Sequence, residues 1–360
     1  MNLDAVVVGA GPAGCAAAAR LASDGAKVAV VHRPSRGHRH SEILPGPAAH
    51  ALVAAGLGPV DSLAEGRCRG TLTAWGSGQL VAVDAFASPD GASWWIDRDR
   101  FDRALRRRCA SLGIPILTGP LHHLHRTGQK WMTRIGQEPE LRAPWVIDAT
   151  GRPAAVARRL GVARRSGPPL VAVYARTIAA SNDLPTRIML EADADGWWYI
   201  GASSQQRIGA VRIADPNRAR WLRDREHFVA RLAALPILGR FAGVASDWSP
   251  PQACPAGGTW LEAACGEGWI ACGDAALAFD PLSAQGLLGA LSSGVAAAQA
   301  ISSADSAALL AEISVRHAEV RAIYEARRQA AYARERRWPN RPFWSRQCRA
   351  SSDRSSDLTA

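Results

Sequence analysis

The strongest constraint on the fold is a glycine turn close to the N-terminus. Ala5-Val6-Val7-Val8 reads as a short buried strand, Gly9-Ala10-Gly11-Pro12-Ala13-Gly14 as its turn, and residues 15–23 as an alanine-rich helix. Gly25 ends that helix, and Val28-Ala29-Val30-Val31 forms a second strand. In such a β-α-β unit the glycines have separate tasks. Gly9 permits the tight turn, Gly11 lets backbone approach a pyrophosphate, and Gly14 allows close helix–strand contact. The helix start then offers free N–H groups and a positive dipole end to the pyrophosphate, so Gly9, Gly11, Pro12, Ala13 and Gly14 are expected to hold a dinucleotide. A lone G-x-G-x-x-G is weak, but one set between a strand and a helix, with a second strand following, is specific. The fingerprint also expects an acidic residue about 20 positions on, to bind ribose hydroxyls. His32 and Arg33 stand there instead. A neutral His32 can still bond a hydroxyl, and Arg33 can face a phosphate.

The rest of the chain alternates helix and strand before changing character. Residues 94–117 read as strand, helix and strand, residues 121–125 and 131–135 as a hairpin, and residues 145–151 as a buried strand entering a glycine turn. A short helix follows over 154–160. Residues 170–178, 187–192, 197–202 and 207–214 read as short strands of an antiparallel sheet, hence a separate layer. An amphipathic helix over 216–235 starts with proline in its first turn. Residues 269–272 form a last buried strand, Gly273-Asp274-Ala275-Ala276 its turn, 285–301 a small-residue helix, and 306–337 a long helix before a Pro- and Ser-rich tail.

Composition excludes some partners and compartments. With 48% apolar and 21% charged residues, the chain is globular rather than disordered. No apolar run approaches the roughly 18 residues of a membrane span. Asp4 sits where the apolar core of a secretory signal would begin, so a cytoplasmic location is expected. Seven cysteines without a C-x-x-C pair fit free, mostly buried thiols in a reducing compartment. His122-His123-x-His125 reads as an exposed strand edge rather than a metal site, and no metal is expected. The net charge of +11 raises nucleic acid as a partner. However, +7 of it lies between Arg316 and Arg354, where eleven arginines face four acidic residues. No nucleic-acid-binding signature accompanies them. The stretch reads as a solvated helical tail, with docking of an acidic protein as the sharper alternative.

Three blocks stand in order: Val8-Gly9-Ala10-Gly11-Pro12-Ala13-Gly14, Val146-Ile147-Asp148-Ala149-Thr150-Gly151, and Gly273-Asp274-Ala275-Ala276 with Asp280-Pro281-Leu282. Together they resemble the two-domain flavoprotein monooxygenase fold shared by aromatic hydroxylases, geranylgeranyl reductases and flavin-dependent halogenases. The resemblance covers nearly the whole chain. It implies an α/β architecture of the GR2 type, in which a Rossmann-like FAD-binding domain (residues 1–75, 94–165 and 250–304) is interleaved with an antiparallel-sheet substrate domain (76–93 and 166–249). Residues 305–360 form a C-terminal helix and basic tail. It further implies that Asp274 contacts the ribityl chain, that Pro281, Gln285, Gly286 and Leu287 lie over the isoalloxazine ring, and that Arg98 lies near the cofactor. Helix N–H groups after Pro281 suit the electron-rich carbonyl edge of a flavin.

Finer features narrow the choice. Gly196-Trp197-Trp198-Tyr199-Ile200 resembles the halogenase Trp-x-Trp-x-Ile-Pro motif, with Gly201 in place of the proline. A halogenase needs a lysine between its flavin and substrate pockets. Residues 41–45 and 69–77 contain none, and arginine cannot deprotonate to replace it. The stretches 74–77, 280–287 and 335–344 resemble the tryptophan-hydroxylating flavoproteins that mature tryptophylquinone enzymes. That resemblance implies FAD reduced by NAD(P)H, reaction with O₂ to a C4a-hydroperoxide, and oxygen transfer to a tryptophan held in a peptide or protein. The aromatic, basic end (Trp338, Phe343, Trp344) supports a polypeptide substrate. The expected substrate pocket comprises Glu42, Trp75, Trp198, Tyr199 and Pro281. Glu42 is an indole acceptor or base, or else a surface carboxylate or a partner of Arg39. Trp197 and Trp198 must face opposite sides of their strand, so only one lines the pocket. His40 and His50 read as surface histidines. Hydroxylation of a small aromatic molecule, reduction of an alkene, and a flavin-free binding protein remain as alternatives.

Overall fold

The computed structural model describes residues 1–34, 41–84, 92–179, 186–202, 206–243 and 247–348. Arg39, His40 and the tail beyond residue 348 lie outside them. A six-stranded sheet runs in the order Cys265–Gly266, Trp269–Ala271, Trp145–Asp148, Ala5–Val8, Val28–His32, Ile116–Thr118, parallel except for its first strand. The continuous valine runs suit it, because both faces are covered. Ala5 and Val7 pack under the helices Pro12–Ser23, Arg98–Ser111 and Gly286–Ser302. Val6 and Val8 pack against Trp131, Ile135 and Leu141 on the opposite side. Trp131 and Ile135 belong to the expected hairpin, Leu121–Thr127 and Lys130–Ile135, which gains a third strand, Leu141–Ala143, that carries Leu141. The histidines at 122, 123 and 125 are exposed on the outer strand of that small sheet.

A second sheet of seven strands runs Gln252–Pro255, Val171–Ile178, Arg207–Ala214, Gly196–Ala202, Ile188–Asp193, Gly70–Ala74, Val81–Asp84. Its pairs are antiparallel except where Ile188–Asp193 meets Gly70–Ala74. Two segments grouped by sequence with the nucleotide-binding part, 70–74 and 252–255, therefore lie in this sheet. A strand's residue pattern shows which face is buried and not which partner it pairs with. One face packs on the helix Arg225–Ala233 through Phe228 and Leu232. The other carries Tyr174, Trp197, Tyr199, Val211 and Ile213.

Two expected helices are shorter than the periodicity suggests. The helix over 216–235 splits into Pro216–Ala219, a 3₁₀ turn at Trp221–Arg223, and Arg225–Ala233. Asp224 causes the restart, since its carboxylate accepts from the His227 N–H at 2.9 Å as an N-cap. The long helix ends at Ala333. Beyond it the chain folds back onto the seven-stranded sheet. The Gly76 N–H donates to Glu335 Oε2 at 2.8 Å, Trp75 Nε1 to the Ala331 carbonyl at 2.9 Å, and Trp344 Nε1 to the Asp193 carbonyl at 2.9 Å.

Phe343 and Trp344 are buried in the core, so they are not an exposed docking patch. Three arginines of the basic stretch also have internal partners: Arg328 with Glu325 and Gln347, Arg337 with Glu335, and Arg346 with Asp215. Burial alone would raise the Glu335 carboxyl. The Arg337 guanidinium and the Gly76 and Arg337 N–H groups overcome that and hold it below the usual glutamate range. Its contribution to stability is thus present above the unfolded value of about 4.3 and disappears as pH falls through the depressed folded value. Chemical denaturation should show wild type losing stability on acidification through that window. Glu335→Gln should cost about 1–3 kcal/mol at neutral pH and flatten the acid limb.

Candidate active site

In the glycine turn, close contacts surround Gly9 and Gly14 but not Gly11. Gly9 has φ +119°, and a Cβ there would lie 2.1 Å from the Ala149 carbonyl oxygen. At Gly14 a Cβ would lie 1.9 Å from the Gly9 oxygen. At Gly11 it would meet nothing within 4 Å. Two glycines therefore serve packing, and the third leaves open space at the helix start. Gly11 is the N-cap and supplies no side-chain acceptor, and Pro12 has no N–H of its own. The amides of Ala13 and Gly14 are left for a ligand.

At the end of the second strand, burial and then Arg106 lower the His32 pKa, so the ring stays neutral. Arg33 is exposed. Arg106 donates to the Ala10 carbonyl at 3.4 Å and stands beside the turn. Sequence reading did not single it out, although it lies eight residues after Arg98 on one helix and thus near the same face.

Arg98 opens its helix next to the capping residue Asp97. Its Nη1 donates to both Glu42 oxygens, at 3.0 and 2.8 Å, and its Nε to Asp102 at 3.4 Å. The pairing of strand Ser41–Leu44 with Ser93–Asp97 brings Glu42 there. Glu42 is therefore not a solitary surface carboxylate; its partner is Arg98. Burial disfavours the guanidinium charge, but Glu42 and then Asp102 more than restore it.

Asp274 follows Gly273, whose positive φ of +60° seats the turn against Ala13. Burial raises the Asp274 carboxyl against the pull of Arg152 and Arg98. Arg152 Nε lies 3.6 Å away, and its Nη2 donates to the Phe279 carbonyl at 2.9 Å. Arg152 was also missed; it directly follows the Asp148-to-Gly151 block. Asp148 itself is structural. It accepts from the Thr150 hydroxyl at 2.7 Å and from the Val156 and Ala157 N–H groups at 2.9 Å.

The next segment opens toward this site. Asp280 caps the 3₁₀ turn Pro281–Ser283 by accepting from the Leu282 N–H at 2.8 Å. Ala284 takes a left-handed φ of 52°. The helix Gly286–Ser302 then starts without a side-chain cap. Pro281 is half-buried, Gln285 and Gly286 are exposed, and Leu287 is buried and anchors the helix in the core.

The antiparallel sheet supplies the other wall. Tyr174, Val211, Tyr199 and Leu190 form one row across four strands. The Tyr199 ring lies 5.8 Å from Trp197, and burial and the nearby Glu42 charge raise its phenol pKa. Trp75 makes an edge contact with Trp197 at 6.0 Å. Trp198 corrects the expectation: it is fully buried on the opposite face, 5.1 Å from Phe228. Strand alternation separated the two tryptophans, and the side facing the helix took Trp198. Two adjoining cavities of about 250 and 220 Å³ share Arg176 and Ser249 and reach Tyr174 and Gln252. His50 is exposed.

The uncapped helix start beside Gly11, the arginines around it and the second uncapped helix after residue 285 fit a dinucleotide with an electron-rich ring. The fold is the one found in FAD-dependent monooxygenases and flavin-dependent halogenases. Comparison with known proteins agrees. The lycopene cyclase protein family matches residues 4–170. The chain is 25% identical over 364 residues to a putative FAD-dependent oxidoreductase, LodB of Marinomonas mediterranea, covering 96% of each chain. Among solved structures it resembles the peptidyl tryptophan dihydroxylase QhpG, essential for tryptophylquinone cofactor biogenesis, with TM-score 0.75 and 24% identity over 96% of this chain and 79% of that one. It also resembles the myxobacterial chondrochloren halogenase CndH, with TM-score 0.82 and 20% identity over 96% and 86%.

Two glycine variants separate cofactor contact from packing. Gly11→Ala should keep the wild-type melting temperature and weaken FAD binding at least about tenfold, because its methyl enters the space a phosphate needs. Gly14→Ala should destabilise the protein itself. Thermal melts and FAD titrations of both variants check this.

Proposed function

We propose that this enzyme hydroxylates a tryptophan held in a polypeptide, as a step in building a tryptophylquinone cofactor. The observation that carries this reading is similarity along 96% of the chain to LodB, joined by the shared fold of QhpG, whose substrate is a peptidyl tryptophan. Bound FAD supplies the activation of oxygen, and NAD(P)H is the proposed reductant.

The protein's own residues then have limited tasks. The Ala13 and Gly14 amides and Arg106 hold the diphosphate, His32 and Arg33 the adenosine end, and Asp274 the ribityl chain. The Gly286 and Leu287 amides face the ring. Tyr199 walls the substrate side, with the fully buried Trp197 packed behind it. The carboxylate of Glu42, held by Arg98, is the proposed acceptor of an indole N–H.

Two alternatives fit less well. The only lysines are Lys27, next to the start of strand Val28–His32 and thus at the opposite end from His32, and Lys130, at the hairpin turn. Neither offers the base that halogenation needs. An alkene reductase needs an apolar tunnel, whereas the cavity of about 250 Å³ beside the sheet places Asp97, Arg176, Arg207 and Asp247 among its lining residues, next to Ile178 and Ile208.

Co-expression with a tryptophylquinone-enzyme precursor, followed by mass spectrometry, tests the reading. The expected result is one or two oxygen atoms added to one tryptophan of the precursor. Turnover of free aromatic acids alone, with the precursor unmodified, would contradict it.

A further inference from the structure

The turn Pro281–Ser283 is held by more than its own cap. The Tyr332 hydroxyl donates to Asp280 Oδ2 at 2.8 Å, and Trp197 Nε1 donates to the Tyr332 oxygen at 3.2 Å. The Asp280 N–H donates to the Tyr324 hydroxyl at 2.9 Å. Tyr324 and Tyr332 are eight residues apart on the helix Ser306–Ala333, so both reach one side of it. All three aromatic residues and Asp280 are buried.

The direction of this chain is fixed by chemistry. An indole N–H can only donate, so the Tyr332 oxygen accepts there and its single proton goes to Asp280. Asp280 then accepts on both oxygens, from Tyr332 and from Leu282. The turn also ends in a strained residue, Ala284 at φ 52°, which persists only if its surroundings hold it. The flavin roles assigned above to this segment use none of these four side chains.

We propose that Tyr332 and Tyr324 are positioning residues that set the flavin-facing turn through Asp280, and that Trp197 links this turn to the substrate face of the antiparallel sheet. The inference rests on the FAD reading of the site only for what the turn faces. The three ties themselves connect the C-terminal helix, the flavin-facing segment and the strand beside Tyr199.

Hydrogen exchange of the flavin-free full-length protein tests the ties without the cofactor. Tyr332→Phe keeps the ring and removes only the hydroxyl. The amides of residues 282–286 should then exchange about tenfold faster or more, as expected for a lost bond to a charged group. Trp197→Phe should give a smaller change of the same sign. Phe343→Leu loosens the same aromatic cluster without touching Asp280, and should leave residues 282–286 at the wild-type rate. FAD titration of Tyr332→Phe should show a weaker Kd and an altered visible flavin spectrum. Unchanged exchange in Tyr332→Phe, or an equal gain in Phe343→Leu, would overturn the inference. Failure of the wild-type protein to bind FAD would instead overturn the cofactor reading, while the exchange result would still report on the ties.

Discussion

The structure depends on how closely one helix start is allowed to sit. At Gly9 and Gly14 a single methyl would collide with backbone, and at Gly294 a Cβ would lie 2.3 Å from the Ala13 oxygen. Gly273 meets the same helix at Ala13. The glycine turn, the strand ending at Asp148, the Asp274 turn and the helix Gly286–Ser302 therefore converge on one short stretch. The open space at Gly11 is useful because its neighbours are so tightly fixed. A cofactor site built on regular elements in this way is better defined than one carried by loops.

The unusual basic composition has a structural counterpart. Arginine forms forked bonds with carboxylates and carbonyls that lysine cannot reproduce. Arg98 joins Glu42 to Asp102, Arg152 joins Asp274 to the Phe279 carbonyl, and Arg212 grips Asp193 at 2.7 and 2.8 Å. Several of the 13 tryptophans have equally specific places. Trp75, Trp197 and Trp344 pack together beneath the substrate face, and Trp131 donates to the Gly268 carbonyl at 2.7 Å.

The local chemistry of the fold was legible in the sequence, and its long-range pairings were not. Valine runs, glycine turns and alanine-rich helices located the nucleotide unit because each is decided by neighbours in sequence. Strand alternation showed that Trp197 and Trp198 diverge, but not which face carries the helix, so Trp198 was assigned to the wrong side. The strand Gly70–Ala74 pairs on one side with nearby Val81–Asp84 but on the other with Ile188–Asp193, more than a hundred residues away in sequence. Periodicity also ran through the break at Asp224, where a capping carboxylate outweighs the continued pattern. The aromatic end at 343–344 looked like a docking patch, and its burial becomes visible only when Asp193 and Tyr332 are placed beside it. Arg106 and Arg152 escaped notice for the same reason: their partners, the Ala10 carbonyl for one and Asp274 with the Phe279 carbonyl for the other, lie far from them in sequence.

The central claim is that the open space at Gly11 and the uncapped helix start recognise a flavin through its diphosphate. Equilibrium titration of the purified protein with FAD and with riboflavin, which shares the ring but lacks the diphosphate and adenosine, tests this most directly. The account predicts clear saturable binding of FAD and binding of riboflavin weaker by at least about a hundredfold, in line with the loss of several charge-assisted hydrogen bonds. Equal affinity for the two flavins, or no binding of FAD, would contradict it.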